Sequence, residues 1–291
     1  MPSLSFEVFS REHERARLGE SPCWDPETND LWWVDVTGKR LLRTDLGSGQ
    51  TKGWPVPELV GFVVMMGPDA PAVGMETGIY AFAPRAGTFD RLVRFDEAGC
   101  RFNDATVDAS GRLWASTMEL DGQPGRAAIH LVTQRLELEP VVSGLAIPNG
   151  LAVDLERGRA FHSDSHPDVQ SIWEMPIEDG SGQTGEPHPF ASTAELRGRP
   201  DGAALTQDGS YWIAGVDGGE LYVYGLDGVL GAAVPVPFPA PTKVCFAGQD
   251  DQHIVVTSKG IGESGGYLAR ARMPRGMSPG TVQTYWIPGA P

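Results

Sequence analysis

One phrase recurs along this chain and restricts what it can fold into. A turn is followed by a strand-like run with a large aromatic or branched residue, then by a small residue. It reads Asn29-Asp30-Leu31-Trp32-Trp33-Val34-Asp35, Gly111-Arg112-Leu113-Trp114-Ala115-Ser116, Gly158-Arg159-Ala160-Phe161-His162-Ser163-Asp164 and Asp208-Gly209-Ser210-Tyr211-Trp212-Ile213-Ala214. Weaker copies stand at Ala70-Pro71-Ala72-Val73-Gly74 and Gln252-His253-Ile254-Val255-Val256-Thr257. From Trp32 through Val73, Trp114, Phe161 and Trp212 to Ile254 the intervals run from about 41 to about 51 residues, the spacing of propeller blades. Six beats predict an all-β, six-bladed β-propeller.

The rest of the chain agrees with short strands joined by turns. Its 37 glycines and 24 prolines are spread throughout, and sustained helical periodicity is missing. Asp-Gly pairs beginning at Asp121, Asp179, Asp201, Asp208, Asp217 and Asp227 read as turns or hairpins. A sandwich or a two-domain β protein has no reason to keep the repeat. No linker divides the sequence, so a single domain over residues 1–291 is expected. Ser5–Phe9 and Val282–Ile287 both look strand-like, and the expectation is that they pair within one blade and close the ring.

Composition excludes some partners. Lys and Arg number 23 against 38 Asp and Glu, a formal charge of -15. That balance argues against nucleic acid, which needs a basic footprint. No apolar stretch approaches the ~18 residues of a membrane span. Three widely spaced cysteines, Cys23, Cys100 and Cys245, form neither a disulfide framework nor a zinc motif. The first residues lack the basic start and apolar run of a signal peptide. A cytoplasmic protein with reduced thiols is expected; its oligomeric state is left open.

The repeat also points to chemistry. About a dozen residues before each strong beat stands a polar residue: Glu20, Asn103, Asn149 and Asp201. Equivalent positions of a propeller repeat surround the axis. If these face the channel, four oxygen-bearing side chains meet at one mouth. Two carboxylates and two amides suit a hard cation such as Ca²⁺, Mg²⁺ or Mn²⁺. Water or substrate would complete its shell. Taken singly, Asn149-Gly150 and Asp201-Gly202 read as ordinary turns.

With these residues the sequence resembles the gluconolactonase family that includes senescence marker protein (regucalcin) and bacterial sugar lactonases. The carriers are Leu18-Gly19-Glu20-Ser21-Pro22, Arg101-Phe102-Asn103-Asp104, Gly111-Arg112-Leu113-Trp114 with Thr117-Met118, Pro148-Asn149-Gly150-Leu151, Ser163-Asp164-Ser165, Pro200-Asp201-Gly202 and Lys243-Val244-Cys245-Phe246-Ala247-Gly248. Each piece is weak; the ordered set, from about residue 15 to 270, is specific. The resemblance implies a six-bladed propeller with a central metal-binding channel holding one divalent cation (Ca²⁺, Mn²⁺, Zn²⁺, Mg²⁺ or Fe²⁺). It implies Glu20, Asn149 and Asp201 as metal ligands, and Arg101 and Asn103 as substrate-binding residues.

The expected reaction is hydrolysis of a sugar lactone to the aldonic acid. The metal would polarise the carbonyl, and Asp201 would serve as general base. Arg101 would orient the sugar or share developing charge, and Asp104 would support Asn103 or a metal-bound water. The segment Glu119–Gly125 is expected to loop over the site, with Glu119 as a further substrate-binding candidate. The chain departs from the family just after this segment, where many relatives carry Gly-x-Leu-Tyr and this chain reads Arg126-Ala127-Ala128-Ile129-His130-Leu131. Rival readings are an esterase or phosphotriesterase-like propeller using the same kind of metal, and a non-catalytic binding propeller.

Two motifs are decoys. Gly262-Glu263-Ser264-Gly265-Gly266 matches G-x-S-x-G but is followed by a strand-like run instead of a helix. Gly180-Ser181-Gly182-Gln183-Thr184-Gly185 lacks the Lys of a phosphate loop and reads as a hairpin loop. Trp32, Trp33, Trp114 and Trp212 are expected in blade cores.

Overall fold

The computed structural model describes residues 4–9, 15–178, 182–249 and 252–289. Among these there are strands and turns and no helix. Glu7–Val8 (β1) comes first. One four-stranded antiparallel sheet follows, made by Gly19–Asp25 (β2), Asp30–Asp35 (β3), Arg40–Asp45 (β4) and Thr51–Pro55 (β5). The next is Phe62–Met65 (β6), Pro71–Gly74 (β7), Gly78–Ala83 (β8) and Thr88–Arg94 (β9). A third holds Cys100–Val107 (β10), Leu113–Glu119 (β11), Ala127–Val132 (β12) and Leu138–Leu145 (β13). A fourth holds Pro148–Asp154 (β14), Arg159–Asp164 (β15), Ser171–Pro176 (β16) and His188–Ser192 (β17).

The remaining strands are Arg199–Leu205 (β18), Tyr211–Val216 (β19), Glu220–Tyr224 (β20), Leu230–Pro235 (β21), Pro241–Ala247 (β22), His253–Ser258 (β23) and Ala269–Arg272 (β24). With β1 they form one sheet in the order β1-β24-β23-β22-β18-β19-β20-β21. Its two antiparallel halves meet at one parallel pair, Gly202 with Lys243. The first strands of the successive groups, β2, β6, β10, β14, β18 and β22, lie side by side in cyclic order, β22 returning to β2. The architecture is all-β and propeller-like.

The recurring phrases fall on the second strand of each group. Trp32, Val73, Trp114, Phe161, Trp212 and Ile254 are all buried. Each packs in an apolar layer between neighbouring groups of strands, as when Trp212 meets Phe246 edge-on at 5.9 Å. Burial of one large side chain per group explains why the beat survives in sequence. Trp33 is buried as well, its indole N–H donating to Thr44 Oγ1 at 2.9 Å.

The closing strand differs from expectation. β1 does pair into the last sheet, but with β24, through Glu7 with Arg270 and Val8 with Ala269. Val282–Ile287 forms no strand; its side chains and backbone pin it across other sheets instead. Trp24 N donates to Gln283 Oε1 at 2.6 Å, Tyr285 Oη donates to Asp25 Oδ1 at 2.8 Å, and Trp286 N donates to Met65 O at 2.7 Å. Trp286 is buried.

Asp121, Asp208, Asp217 and Asp227 lie in turns. Asp201-Gly202 does not: it lies inside β18. Asp179 and residues 180–181 lie outside the described residues, but Ile177 pairs antiparallel with Thr184 around them. Ser264 lies in a tight turn, exchanging backbone hydrogen bonds with Ile261, with no helix after it. That is no nucleophile elbow. No helix among the described residues is long and apolar enough to cross a membrane.

Candidate functional site

Five of the six innermost strands carry a β-bulge at the same depth. Two residues stand opposite one of the partner strand at Ser21-Pro22, Asn103-Asp104, Gly150-Leu151, Asp201-Gly202 and Thr242-Lys243. A bulge breaks the strict alternation of a strand and re-aims its side chains. Glu20 and Asn149 are the last paired residues before their bulges; Asn103 and Asp201 are the first residues within theirs. The four residues that the repeat placed at one phase are therefore offset by one position.

The backbone is held in this form at some cost. Ser21 follows Glu20 with φ 51° and Gly150 follows Asn149 with φ 63°, both left-handed. Ser21 tolerates it because Oγ accepts from Val63 N at 3.0 Å and donates to Val63 O at 3.3 Å in the neighbouring sheet. At Gly150 a Cβ would come within 2.4 Å of Tyr211 Oη, which donates to Gly150 O at 2.7 Å. Only glycine fits there.

Charges converge at this level. Glu20 lies deep in the ring while keeping part of its surface open. Burial and the nearby Asp104 push its carboxyl up to about 7, against the Ser21 N–H and the charges of Lys243 and Arg101. Asp201 is buried and held well above its ordinary value, first by burial and then by the charges of Glu20 and Asp104. Carboxyls crowded into a desolvated place, with the charge of Glu20 raising Asp201 and that of Asp104 raising both, are a seat for positive charge. Arg101 faces both, its guanidinium brought down to about 10 by burial and supported by Glu20 and Asp201.

Hydrogen bonds fix the amides. Arg101 Nη1 donates to Phe102 O and to Asn103 Oδ1, each at 2.8 Å. Asn103 Nδ2 donates to Pro148 O at 3.0 Å. Asn149 Nδ2 donates to Ser165 Oγ at 2.9 Å, and Asn149 Oδ1 accepts from no described residue.

Asp104 is buried and committed elsewhere. Its Oδ1 accepts from Ala105 N at 2.8 Å and its Oδ2 from Leu151 N at 2.9 Å. It also pairs with the Lys243 ammonium, which donates to Ala105 O at 3.0 Å as well. Burial opposes the charge on Lys243, yet Asp104 and Glu20 hold it above its ordinary range. Sequence reasoning gave Lys243 no role; the signal was one lysine inside the otherwise uncharged run Pro241–Ala247. Lys243 needs Gly202 beside it, where a Cβ would lie 2.4 Å from its Cγ.

Glu119 is apart from these groups. It pairs with Cys100, next to Arg101, at the same end of β10. Its carboxylate takes Arg126 Nη2 at 2.7 Å and Arg126 N at 3.2 Å. The loop from Glu119 to Arg126 is thus latched by its own two ends.

A cavity of about 610 Å³ lies beyond the bulges. Lys243 and the far halves of the inner strands, such as Cys23, Thr106 and Leu205, line it; Glu20, Arg101, Asn149 and Asp201 do not. The chemistry is gathered at the opposite end of the ring, where these four side chains precede or begin their bulges.

The donor set Glu20, Asn149 and Asp201 is all oxygen, with two anionic members and one unclaimed amide oxygen. It fits a hard divalent cation. No group of three or more His, Cys, Asp and Glu side chains among the described residues is placed to hold a metal. The set that fits has an amide as its third member.

The comparisons with known proteins agree with this reading of the fold. Residues 18–260 match the family model "SMP-30/Gluconolactonase/LRE-like region". The chain belongs to that family. It is 32% identical over 264 residues to the L-arabinolactonase of Azospirillum brasilense, covering 88% of this chain and 85% of that one. It is 30% identical over 255 residues to the 6-deoxy-6-sulfogluconolactonase of Pseudomonas putida, covering 87% of each. The fold superposes on the calcium-binding protein regucalcin from Agrobacterium tumefaciens with a TM-score of 0.88, at 21% identity over 98% of each chain.

Proposed function

We propose that this chain is a metal-dependent lactonase that hydrolyses a sugar lactone to the aldonic acid. One observation carries the reading. Glu20 and Asp201, from separate sheets, lie in a desolvated place where the charge of Glu20 raises Asp201, beside Arg101 and at the same end of the ring as the open Oδ1 of Asn149. The names of the relatives, an arabinolactonase and a sulfogluconolactonase, support the substrate class. We read the fold as one six-bladed propeller over residues 1–291. Support comes from the six first strands in a closed circle and from the single residue pair joining the halves of the eight-stranded sheet. A cytoplasmic setting fits three free cysteines.

Glu20, Asn149 and Asp201 would hold one divalent cation. When bound, it supplies Lewis-acid polarisation of the lactone carbonyl. Asp201 takes a proton from water as the water oxygen bonds to the carbonyl carbon. The ring C–O bond then breaks, and the leaving ring oxygen takes up a proton to become a hydroxyl. Arg101 is held by Phe102 O and Asn103 Oδ1 through one nitrogen, leaving the rest of its fork for substrate oxygens. Asn103, fixed at both ends of its amide, sets the wall beside it.

The test is acid release from glucono-, galactono-, xylono- and arabinonolactones by metal-stripped protein, with Ca²⁺, Mn²⁺, Zn²⁺, Mg²⁺ and Fe²⁺ restored singly. Turnover that returns with metal is the expected result. Tight metal binding without lactone turnover would overturn the substrate class. Absence of both would overturn the enzyme reading.

A further inference from the structure

We propose that Ser165 is a positioning residue that fixes which atom of the Asn149 amide faces a cation; this rests on the metal-binding reading above. Ser165 is buried. Its hydroxyl donates to Pro200 O at 2.5 Å, which uses its single proton. Toward Asn149 it therefore can only accept, at 2.9 Å. An Asn amide presents a donor or an acceptor according to its flip, and the hydrogen-bond network decides which. Flipped, Oδ1 would face a hydroxyl oxygen with no proton to share. Ser165 thus turns Nδ2 toward itself and leaves Oδ1 as the available ligand atom.

The serine is itself rigid. Its N–H donates to Ile147 O at 2.9 Å, and its carbonyl accepts from Arg199 Nη1 at 2.8 Å. Arg199 is anchored in turn by Asp217 at 2.6 Å. Because Pro200 immediately precedes Asp201, one hydroxyl ties the amide of Asn149 on β14 to the peptide that carries Asp201 on β18. Groups that orient a metal ligand typically cost 10–100-fold in metal affinity when removed.

The experiment is Mn²⁺ titration by calorimetry of wild type, Ser165→Ala, Ser165→Thr, Asn149→Asp and Asn149→Asp/Ser165→Ala, with metal-free melting temperatures as a check on folding. Ser165→Ala should weaken Mn²⁺ binding about 10–100-fold, and Ser165→Thr should restore it. A carboxylate offers oxygen whichever way it turns. In the Asn149→Asp background the Ser165→Ala penalty should therefore shrink to about twofold, the scatter of independent changes. An equal penalty in both backgrounds, or none in wild type, would overturn the positioning role. Failure of wild type to bind Mn²⁺ would instead overturn the metal-binding reading on which it stands. Should Ser165→Ala not fold, Ser165→Thr against the isosteric Ser165→Val makes the same comparison.

Discussion

Lys243 and Asp104 meet across the middle of the ring. Their strands, β22 and β10, stand three places apart in the cycle of inner strands, so the ion pair bridges opposite sides. Both side chains are buried. Breaking a buried pair by removing one partner leaves an uncompensated charge, at a cost of about 3–5 kcal/mol. Lys243→Met and Asp104→Asn should each lower stability toward urea by roughly that much. The double variant Asp104→Asn/Lys243→Met should lose less than the two single changes added together. A double-mutant cycle on the unfolding free energies checks this.

Asp201 is the group assigned to proton removal. Asp201→Asn should keep the fold and cut lactone turnover by about 100-fold or more. Circular dichroism and initial rates with saturating Mn²⁺ would show both effects. Near-normal turnover would remove Asp201 from the role of base.

The metal-free protein should lose stability as pH rises. Glu20 sits at about 7 in the folded state, raised from 4.5. Between those values the folded protein binds more protons than the unfolded chain, so the stability slope is negative. The contribution is fully present below about 4.5 and lost by about 7; Asp201 is shifted in the same direction. Melting temperatures of metal-free protein should therefore fall from pH 5 to pH 8. Glu20→Gln should flatten the fall. Saturating Ca²⁺ or Mn²⁺ should raise the melting temperature most at the alkaline end, because metal and protons compete for the same oxygens.

Glu119 tests the loop. Its carboxylate is occupied by Arg126, at the mouth end of β10. Glu119→Ala and Arg126→Ala should both raise KM for the lactone while leaving kcat within about twofold, the pattern of lost uniform binding. Equal losses in kcat would place the loop in the chemical step.

Much of this molecule was legible in advance because burial repeats. Each group needs one large buried residue at the same place, so Trp32, Trp114, Phe161 and Trp212 keep time in the sequence. That beat also put Glu20, Asn149 and Asp201 near one level of the ring, where each lies at or beside a bulge. The bulges could not, because Asp-Gly and Asn-Gly carry the same signature in a turn and in a bulged strand. Nor could the Lys243–Asp104 contact, which joins residues 139 apart. Ser165 stands in the Ser163-Asp164-Ser165 motif, yet its role depends on where Pro200 O and Asn149 Nδ2 lie, which only the packed sheets define.

The pairing of Glu7 and Val8 with Arg270 and Ala269 has a consequence for the order of events during synthesis. Of the described strands, the earliest in the chain completes the sheet that holds the latest. While the chain grows, early sheets can stack as they emerge, but the last sheet stays unfinished until the segment around Arg270 is free to meet β1. Joining strands so distant in sequence carries a large loop-closure entropy, and such non-local pairing is slow. Until that moment the exposed side of the newest sheet is an unpaired edge, and it is then that the chain is most vulnerable to pairing with a neighbour.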